Sequence, residues 1–365
     1  MKAIASLLLL CTLCIGTVLA QTPMIVVQNP NNAAPTGQYT SFADAVAAAS
    51  AGDYLYMSAG GFSIGTFNLT KRLNIIGAGW NPDSSAIGIT ILSGYFQLQA
   101  GASGGSLEGV YMPDNYYVAM GNGTASPAAA AFPPTNYTIR RCNLFHLNFQ
   151  WSGAQASGYY IGETIIRHTI VGQWNNGQVY AQNVMFDRCL ITGVDVNNSG
   201  IQGGCNGILF KNCVISKGDN TSTINCWTAG CNPIYNCTFI NCVLIADDIF
   251  GSGSGNILQN CLMLVDTNPN GEVAQNSNPM SSPARTDIFQ NVTSSVFSAT
   301  FNYRLKSTCV GKNAGTDGFD VGMYGTAKPF RAKPSNPVWG AALPNPMTTN
   351  SSGQLVVPAQ VTVGQ

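Results

Sequence analysis

The chain contains few charged residues. Asp, Glu, Lys and Arg make up 9% of its 365 residues, and 16 basic and 16 acidic side chains cancel to a formal net charge of zero. Proteins that bind nucleic acid by electrostatics need a concentrated basic surface. We therefore expect no nucleic-acid partner. The shortage of Lys and Glu, together with 40 Gly, favours an all-β, turn-rich chain over a helical one.

Zinc ligands are also scarce. The chain has two His, His146 and His168, and no Cys-x-x-Cys pair follows residue 20. Structural zinc sites combine closely spaced Cys and His ligands. The sequence therefore predicts no zinc site and no resident cofactor.

The first 20 residues have the pattern of a signal peptide. Lys2 supplies the positive start, Ile4 to Val18 form an apolar run, and Val18-Leu19-Ala20 end it with small residues suited to cleavage. The run is too short and wrongly flanked for a membrane anchor. We predict that residues 1–20 are removed, that the mature chain begins at Gln21, and that it is secreted without membrane insertion.

A short pattern recurs between residues 139 and 263. Each copy is a large apolar residue, a variable residue, an Arg or Asn, a Cys (once His), a variable residue and an aliphatic residue. The copies are Ile139–Leu144, Ile165–Ile170, Phe186–Ile191, Phe210–Ile215, Phe239–Leu244 and Leu258–Met263. Their Cys or His positions lie 19 to 29 residues apart. Such a period, tolerant of insertions, predicts a solenoid of stacked units with loops on one side.

Within each copy the alternation is typical of β-strands. The Cys and the aliphatic residue two positions later fall on one face of a pleat. The Arg or Asn suits a sharp bend, because Asn tolerates left-handed backbone geometry. Strand, bend, strand and variable loop describe one rung of a parallel β-helix.

Ten Cys follow the signal peptide, and secretion alone would favour disulfides. Five of them occupy the repeat position, where we expect buried thiols that pack as small hydrophobic groups. They are Cys142, Cys189, Cys213, Cys242 and Cys261. Cys226 and Cys231 bracket a short Trp-Thr-Ala-Gly loop and are the best disulfide candidates.

The stretch from Ser41 to Gly79 has a different character. Ser41 is the predicted N-cap of an amphipathic helix that runs to Ala49, with Asp44 in its first turn. Gly52-Asp53, Gly60-x-Phe62 and Lys71-x-Leu73-x-Ile75-x-Gly77-x-Gly79 follow. This run resembles the N-terminal cap of secreted right-handed parallel β-helix proteins of the pectin-lyase-like superfamily.

A second resemblance lies near the other end. Tyr303–Lys306, followed by Ala314–Gly325, is similar to the closing segment of many such bacterial proteins. The resemblance covers residues 22–325 and implies an all-β, right-handed parallel β-helix with a short capping helix. We therefore predict a β-helix domain at 21–325, and the Pro content after Gly325 predicts an extended tail at 326–365. The resemblance says little about activity, because a fold does not fix a function.

Polar or aromatic residues stand six positions after most of the repeat Cys or His residues. They are Asn148, Trp174, Asp195, Asp219 and Asp248. In a regular stack they would form a column outside the coil, where neighbouring carboxylates can share a proton or hold Ca²⁺, and paired carboxylates also serve glycoside hydrolysis. Trp174, Asp195, Asp219 and Asp248 are therefore candidate carbohydrate-binding residues, with Ca²⁺ a candidate ion. The alternative is that each Asp merely ends a strand in a turn.

A second predicted column is basic. Arg141, Arg167 and Arg188 lead it, and Asn212, Asn241 and Asn260 continue it. Polysaccharide lyases of the resembled fold use Arg or Lys as the base beside a Ca²⁺-neutralised uronate. The alternative is a structural role at the bend. His168 replaces a repeat Cys and is predicted to lie inside. Six aromatic residues are predicted in loops or at rung edges, where rings can stack on sugars or pack their own loops: Trp151, Tyr159, Tyr160, Trp174, Tyr180 and Trp227.

Two classes of function remain open. The chain is either a secreted protein that binds extracellular polysaccharide or serves as a surface or matrix element, or a polysaccharide lyase or glycoside hydrolase acting on an acidic polysaccharide. Low charge and repeats with few departures favour the first class.

Overall fold

The computed structural model describes most of the chain between residues 22 and 333, with gaps. The described ranges are 22–32, 35–81, 88–121, 133–149, 156–171, 181–192, 201–202, 207–216, 236–245, 255–264, 273–277, 280–282, 284–293, 297–333, 338–340 and 360–362. The predicted signal peptide, the candidate disulfide pair Cys226 and Cys231, and most of the predicted tail lie outside them.

Two sheets of stacked strands form the body. The first has twelve strands, in the order Gly37–Tyr39, Ile25–Gln28, Tyr54–Met57, Asn74–Ile76, Ser106–Glu108, Thr138–Arg140, Tyr160–Gly162, Val184–Asp187, Ile208–Lys211, Thr238–Ile240, Asn256–Gln259 and Val273–Ser277. The second has eleven: Gly60–Leu69, Thr90–Leu98, Tyr117–Met120, Asn143–Phe149, Ile165–Val171, Leu190–Ile191, Val214–Ser216, Val243–Ile245, Leu262–Leu264 and Met280–Ser282, with Ile201–Gln202 paired at the side.

The chain alternates between these sheets. Apart from the two antiparallel strands at its N-terminal end, every pairing in the first sheet is parallel, and so is every pairing in the second. Each rung contributes one strand to each sheet. The predicted all-β parallel β-helix is therefore confirmed.

A short helix covers the N-terminal end of the coil, as predicted. It spans Phe42–Ala48, and the Ser41 side chain accepts a hydrogen bond from the Asp44 N–H at 3.3 Å. Phe42 is buried and meets Phe67 and Phe96 edge to face. The helix thus places an apolar face over the open end of the core, which would otherwise meet water.

The predicted interior cysteines are confirmed. Cys142, Cys189, Cys213, Cys242 and Cys261 are fully buried and unbridged. Each sulfur donates to backbone carbonyls, one of which lies two residues earlier in the chain. Cys213 donates to the Lys211 carbonyl at 3.3 Å, and Cys242 donates to the Ile240 carbonyl at 3.4 Å. Stacked Phe rings run beside them, with centroids 5.0 Å apart for Phe186 and Phe210.

The bend between the sheets is left-handed in each of these rungs. The residue before the buried Cys has φ near +53° in Arg141, Arg188, Asn212, Asn241 and Asn260. Asn adopts this geometry more easily than other side chains do, and Arg does so at some cost. The predicted role of the Arg or Asn position as a bend is therefore confirmed for these five residues.

The rung containing His168 was aligned wrongly from the sequence. Its bend is Glu163, with φ of 50°, and Thr164 takes the place of the buried Cys. The Thr164 hydroxyl donates to the carbonyl two residues earlier, at 2.9 Å, as the Cys sulfurs do. Arg167 and His168 therefore lie four residues beyond the positions assigned to them. A Thr hydroxyl therefore makes the hydrogen bond that a Cys thiol makes in the other rungs, so the repeat position does not require Cys or His.

A second set of left-handed residues precedes the first-sheet strands. Asn136, Gly158, Asn183, Gly207, Asn236 and Gly255 alternate along it, with φ between 49° and 77°. The alternation has a steric cause at Gly158, where an added Cβ would lie 2.1 Å from the Asn136 side-chain oxygen. The Asn136 side chain thus occupies the space that a Cβ at position 158 would need.

The C-terminal segment, residues 284–293 and 297–333, packs along the outside of the second sheet. It includes the helix Arg285–Ile288 and the antiparallel pair Phe289–Asn291 and Asn302–Leu305. Its apolar side chains cover an outward-facing column of the coil: Ile165, Leu190, Val214, Val243 and Leu262. The alternate residues, such as Ile166 and Ile191, face the inner core. The packed segment continues past residue 325, because Phe330 is buried against Tyr324.

The remaining described elements are short. They are the 3-10 helix Ala100–Ala102, the parallel pair Ala156–Ser157 and Ala181–Gln182, and the antiparallel pair Val338–Gly340 and Gln360–Thr362. Among the described residues, no helix has the length and hydrophobicity that a membrane crossing requires.

Candidate functional site

The four predicted carbohydrate-binding residues lie outside the described residues. Trp174, Asp195, Asp219 and Asp248 all belong to segments that follow second-sheet strands. Their local geometry therefore remains a prediction, whereas the strands that lead into these segments are described.

Strand register places the three Asp residues at equivalent distances along their rungs. Ile191, Ile215 and Leu244 pair in one inward-facing ladder. Asp195, Asp219 and Asp248 each follow the ladder residue of their own rung by four positions. Neighbouring strands lie ~4.8 Å apart, so the three strands that precede these Asp residues end on adjacent rungs.

Trp174 does not share that alignment. Ile166 is the ladder residue of its rung, because it pairs with Leu144 and Ile191. Trp174 follows it by eight positions rather than four. Trp174 stands six residues after His168, and His168 does not occupy the repeat position of its rung. The alignment of Trp174 with the three Asp residues is therefore wrong. In the sequence Trp174 follows the strand Ile165–Val171, which is one rung before the strand that precedes Asp195.

We call the outlet of these segments the loop edge, defined by the ends of three short strands. The strands are Leu190–Ile191, Val214–Ser216 and Val243–Ile245. The two preceding second-sheet strands, Asn143–Phe149 and Ile165–Val171, have seven residues each. The shorter strands are followed by 8, 19 and 9 residues (193–200, 217–235 and 246–254) before the next described residue. The number of residues that separate the described strands therefore differs from rung to rung after the loop edge.

The basic column is an ion-pair ladder at the bend. Arg141 donates to Glu108 at 3.0 Å and to Glu163 at 2.8 Å. Arg188 in turn donates to Glu163 at 3.2 Å and to Asp187 at 2.6 Å. Glu108 and Glu163 are almost completely buried, with side chains 4% and 6% exposed. Positive and negative groups therefore alternate rung by rung along the bend.

Arg188, within this ladder, is not suited to act as a general base. Burial alone would lower the pKa of Arg188, but the hydrogen bond and charge of Asp187, together with the charge of Glu163, outweigh burial and raise it. An Arg that stays protonated cannot accept a proton from a substrate. Asp187 is engaged as well, because the Tyr160 hydroxyl donates to it at 3.0 Å. The ladder fits the structural alternative.

Asn side chains continue the ladder toward the C-terminal end. The Asn241 amide donates to Asn212 at 3.2 Å, and its oxygen accepts from the Thr316 N–H at 2.8 Å. Asn260 donates to the Ala314 carbonyl at 2.7 Å. These bonds attach the C-terminal segment to the bend.

Arg167 belongs to a different cluster. Its guanidinium donates to Asn143 at 2.7 Å and forms an ion pair with Asp114. The Tyr111 ring lies 4.9 Å from it, and the Phe145 ring 5.6 Å. The prediction that Arg167 belongs to the bend column is therefore wrong, because the bend of its rung is Glu163.

Four of the buried repeat thiols are poor nucleophiles. Burial raises the pKa of Cys142 to about 12, and burial likewise raises the pKa of Cys189, Cys213 and Cys242. Nucleophilic cysteines need a lowered pKa and access to substrate. Within the described ranges, no three His, Cys, Asp or Glu residues are grouped so that they could hold a metal ion.

Two of the aromatic residues predicted at rung edges are described. Tyr159 is buried, with 1% of its surface exposed, and its hydroxyl donates to the Pro134 carbonyl at 2.5 Å. Its predicted place on the outside is wrong, because the residue precedes the strand Tyr160–Gly162 and points inward. Tyr160 is half-buried. Trp151, Tyr180 and Trp227 lie outside the described residues.

Comparison with known proteins shows no family for the chain. No family model and no curated protein matches the chain. One solved structure is similar, that of the pectin methylesterase from Aspergillus niger in deglycosylated form. It shows 12% sequence identity and a TM-score of 0.24, covering 78% of this chain and 91% of that chain. The fold assignment rests on the strand pairing and not on this likeness.

Proposed function

We propose that the protein is a secreted, non-catalytic β-helix that binds extracellular polysaccharide at its loop edge. The observation that carries the proposal is the register of the three short second-sheet strands. They are neighbours in the sheet, and in the sequence an Asp stands four residues beyond the aligned ladder residue of each. In solenoid proteins, insertions gathered on one side commonly form the binding face.

Asp195, Asp219 and Asp248 are the proposed polar groups of this site. Carboxylates on adjacent rungs accept hydrogen bonds from sugar hydroxyls, or they hold Ca²⁺ between them. Trp174 is the proposed aromatic group, contributed by the segment 172–180 of the preceding rung. A ring beside carboxylates offers a sugar both an apolar face and hydrogen-bond acceptors.

The use of charge in the described part of the coil supports binding over catalysis. Arg141, Arg188, Glu108 and Glu163 are paired with one another at the bend. Catalysis would need charged groups that converge on a substrate. Here they hold neighbouring rungs together, as in a rigid scaffold that presents its loops.

The test is binding of the secreted protein to immobilised polysaccharides, both acidic and neutral, with and without a Ca²⁺ chelator. We expect the combined variant Trp174→Ala, Asp219→Asn to bind at least about tenfold more weakly, a change of about 1.4 kcal/mol. Asp287→Asn is the matched control, since Asp287 is an exposed carboxyl in the helix Arg285–Ile288.

Three outcomes bear on the proposal. Undiminished binding by the combined variant would exclude the loop-edge site. Loss of binding on chelation would assign Ca²⁺ to it. Release of unsaturated products or new reducing ends by the wild-type protein, abolished in the combined variant, would replace the binding function with a lyase or a hydrolase.

A further inference from the structure

The charges of this chain are distributed unevenly, although they cancel over the whole molecule. Between residues 284 and 333, the range of the C-terminal segment, seven basic residues stand against three acidic ones. Between residues 22 and 283, 13 acidic residues stand against eight basic ones. The segment therefore has a net charge of +4, on the outside of a coil whose net charge is −5. Because the Debye length at physiological salt is about 8 Å, the charges of the segment act locally rather than as part of a neutral whole.

Three exposed basic residues stand close together near the end of this segment. They are Lys328, Arg331 and Lys333. The backbone that carries them is held in place, because the Lys328 carbonyl accepts a hydrogen bond from the Arg188 guanidinium at 2.7 Å. Phe330, within the same run, is buried, and its N–H donates to the Met323 carbonyl at 2.9 Å. The three basic side chains therefore extend into solvent from a fixed piece of backbone.

A fourth basic residue reaches the same place from a neighbouring strand. Arg304 belongs to the strand Asn302–Leu305 and is exposed. Its guanidinium carbon lies 4.6 Å from the centroid of the Tyr324 ring, and that ring lies 5.7 Å from the Phe330 ring. Contact with a ring orients a guanidinium without neutralising its charge. We call Arg304, Lys328, Arg331 and Lys333 the basic patch.

No side chain of the basic patch forms an ion pair with an acidic group among the described residues. In the described part of the C-terminal segment, an ion pair joins Lys312 to Asp320, and neither belongs to the patch. The basic residues of the bend differ, since Arg141 and Arg188 are each paired with two carboxylates. Because no carboxylate of the described chain competes for them, the cations of the patch keep their attraction for an external anion.

The sequence that follows the basic patch is uncharged. Residues 334–365 contain no Asp, Glu, Lys or Arg, and they include Trp339, Leu343 and the run Leu355–Val357. Peripheral proteins adhere to an anionic membrane by two contributions, which are the attraction of basic side chains to headgroups and the burial of apolar side chains in the interface. A soluble polyanion would be matched by basic residues alone. The combination of a basic patch with uncharged, partly apolar sequence after it favours a lipid surface.

We propose that the basic patch docks the protein on the surface of an anionic phospholipid membrane. Lys and Arg donate hydrogen bonds to headgroup phosphates, and an Arg does so with two parallel N–H groups. Clusters of about four to eight basic residues bind anionic lipid, and the patch supplies four. Tyr324, which orients Arg304, has an apolar ring and a polar tip, and such side chains suit the level of the headgroups. The contact is peripheral, at the depth of the headgroups.

This inference does not depend on the loop edge, because the two surfaces share no residue. The basic patch belongs to the C-terminal segment, whereas the loop edge is defined by the ends of three second-sheet strands. Failure of one proposal therefore leaves the other to its own test.

The experiment is sedimentation of the full secreted chain with vesicles of phosphatidylglycerol and phosphatidylcholine in equal parts, compared with vesicles of phosphatidylcholine alone. We expect the chain to bind the vesicles that contain phosphatidylglycerol and not the others, and added salt should weaken the binding by screening the charges. The double variant Arg331→Gln, Lys333→Gln should have a partition coefficient about thirtyfold lower. Both substituted side chains are exposed, so the melting temperature of this variant should equal that of the wild type.

The matched control compares single substitutions. Arg331→Gln should lower the partition coefficient about fivefold. Arg72→Gln removes the same charge from an exposed residue that precedes the strand Asn74–Ile76, near the N-terminal end of the coil, and it should bind as the wild type does. A chain ending at residue 333 keeps the basic patch and lacks the uncharged sequence, so it should still require phosphatidylglycerol but bind more weakly than the full chain.

Three results would overturn the inference. The first is equal binding of the wild type and the double variant to the vesicles. The second is binding of the wild type to soluble inorganic polyphosphate but not to vesicles, which would make the partner a soluble polyanion. The third is a salt-sensitive dimer of the wild type that the double variant converts to a monomer, because the basic patch would then bind the acidic coil of a second copy.

Discussion

At the scale of single residues, small side chains that can donate a weak hydrogen bond occupy the repeat position. Cys fills it in five rungs and Thr164 in one, and both donate to the carbonyl two residues earlier. The interior has room for a sulfur or a hydroxyl with its methyl group. The carbonyl already accepts a backbone N–H from the neighbouring rung, as the Lys211 carbonyl does from Arg188 at 2.9 Å, and the side chain donates to its second lone pair. Thr164 meets this requirement, and His168 stands four residues beyond it in the sequence.

Cys213 tests the interior assignment. Cys213→Asp should be severely destabilising, because it places a charge or an added polar group among stacked Phe rings and thiols without a partner. Cys213→Ala should cost on the order of 1–2 kcal/mol for a small cavity and a lost weak hydrogen bond. Chemical unfolding of both variants measures the difference. Equal midpoints would show that the position is not interior.

At the scale of elements, the bend ladder was only partly predictable. The Arg and Asn positions carried a visible pattern, because left-handed geometry restricts which side chains fit there. The position of Glu163 in the ladder could not be predicted from the pattern of bend residues, since it depends on charges from neighbouring rungs. Arg141 and Arg188 flank it, and an acid between two bases is favoured by electrostatics rather than by bend propensity. The Asn and Gly alternation before the first-sheet strands was not predicted for a similar reason, because at Gly158 and Gly255 it depends on an Asn side chain of the neighbouring rung.

Arg141→Asn separates the charge of this ladder from its bend. Asn suits the φ of 53° and is the residue used at Asn212, so the backbone should be undisturbed. The substitution leaves Glu108 and Glu163, both nearly buried, with one basic partner fewer each. We expect a loss of about 3 kcal/mol in the free energy of unfolding.

Arg140→Ala is the matched control for that experiment. Arg140 also pairs with Glu108, at 2.7 Å, but its side chain is 40% exposed. A more exposed pair contributes less, on the order of 1 kcal/mol. Thermal or urea unfolding of the two variants compares them. An Arg140 variant less stable than the Arg141 variant would mean that burial does not set the strength of the ladder.

At the scale of the whole molecule, the sequence predicted the coil but not its covering. The stacked units could be read from their period, because every rung repeats the same local requirement. The position of the C-terminal segment could not, since it depends on contacts between residues more than 100 positions apart, such as Arg188 donating to the Lys328 carbonyl at 2.7 Å. The outward residues Leu190 and Val214 do indicate that this face is covered, because they are apolar where a solvent-facing strand position is usually polar.

The covering leads to a prediction about truncation. A chain ending at residue 283 would expose the apolar column Ile165, Leu190, Val214, Val243 and Leu262, and would leave Asn241 and Asn260 without Thr316 and Ala314. Exposed apolar surface of that extent promotes association. We expect this chain to aggregate or to bind a hydrophobic dye strongly.

A chain ending at residue 333 keeps Phe330 and the whole packed segment, so it should elute as the full-length protein does and unfold at the same temperature. If both truncated chains behaved alike in size-exclusion chromatography and dye binding, the C-terminal segment would not be the cover of the second sheet, and the outer surface of the coil would have to be assigned anew.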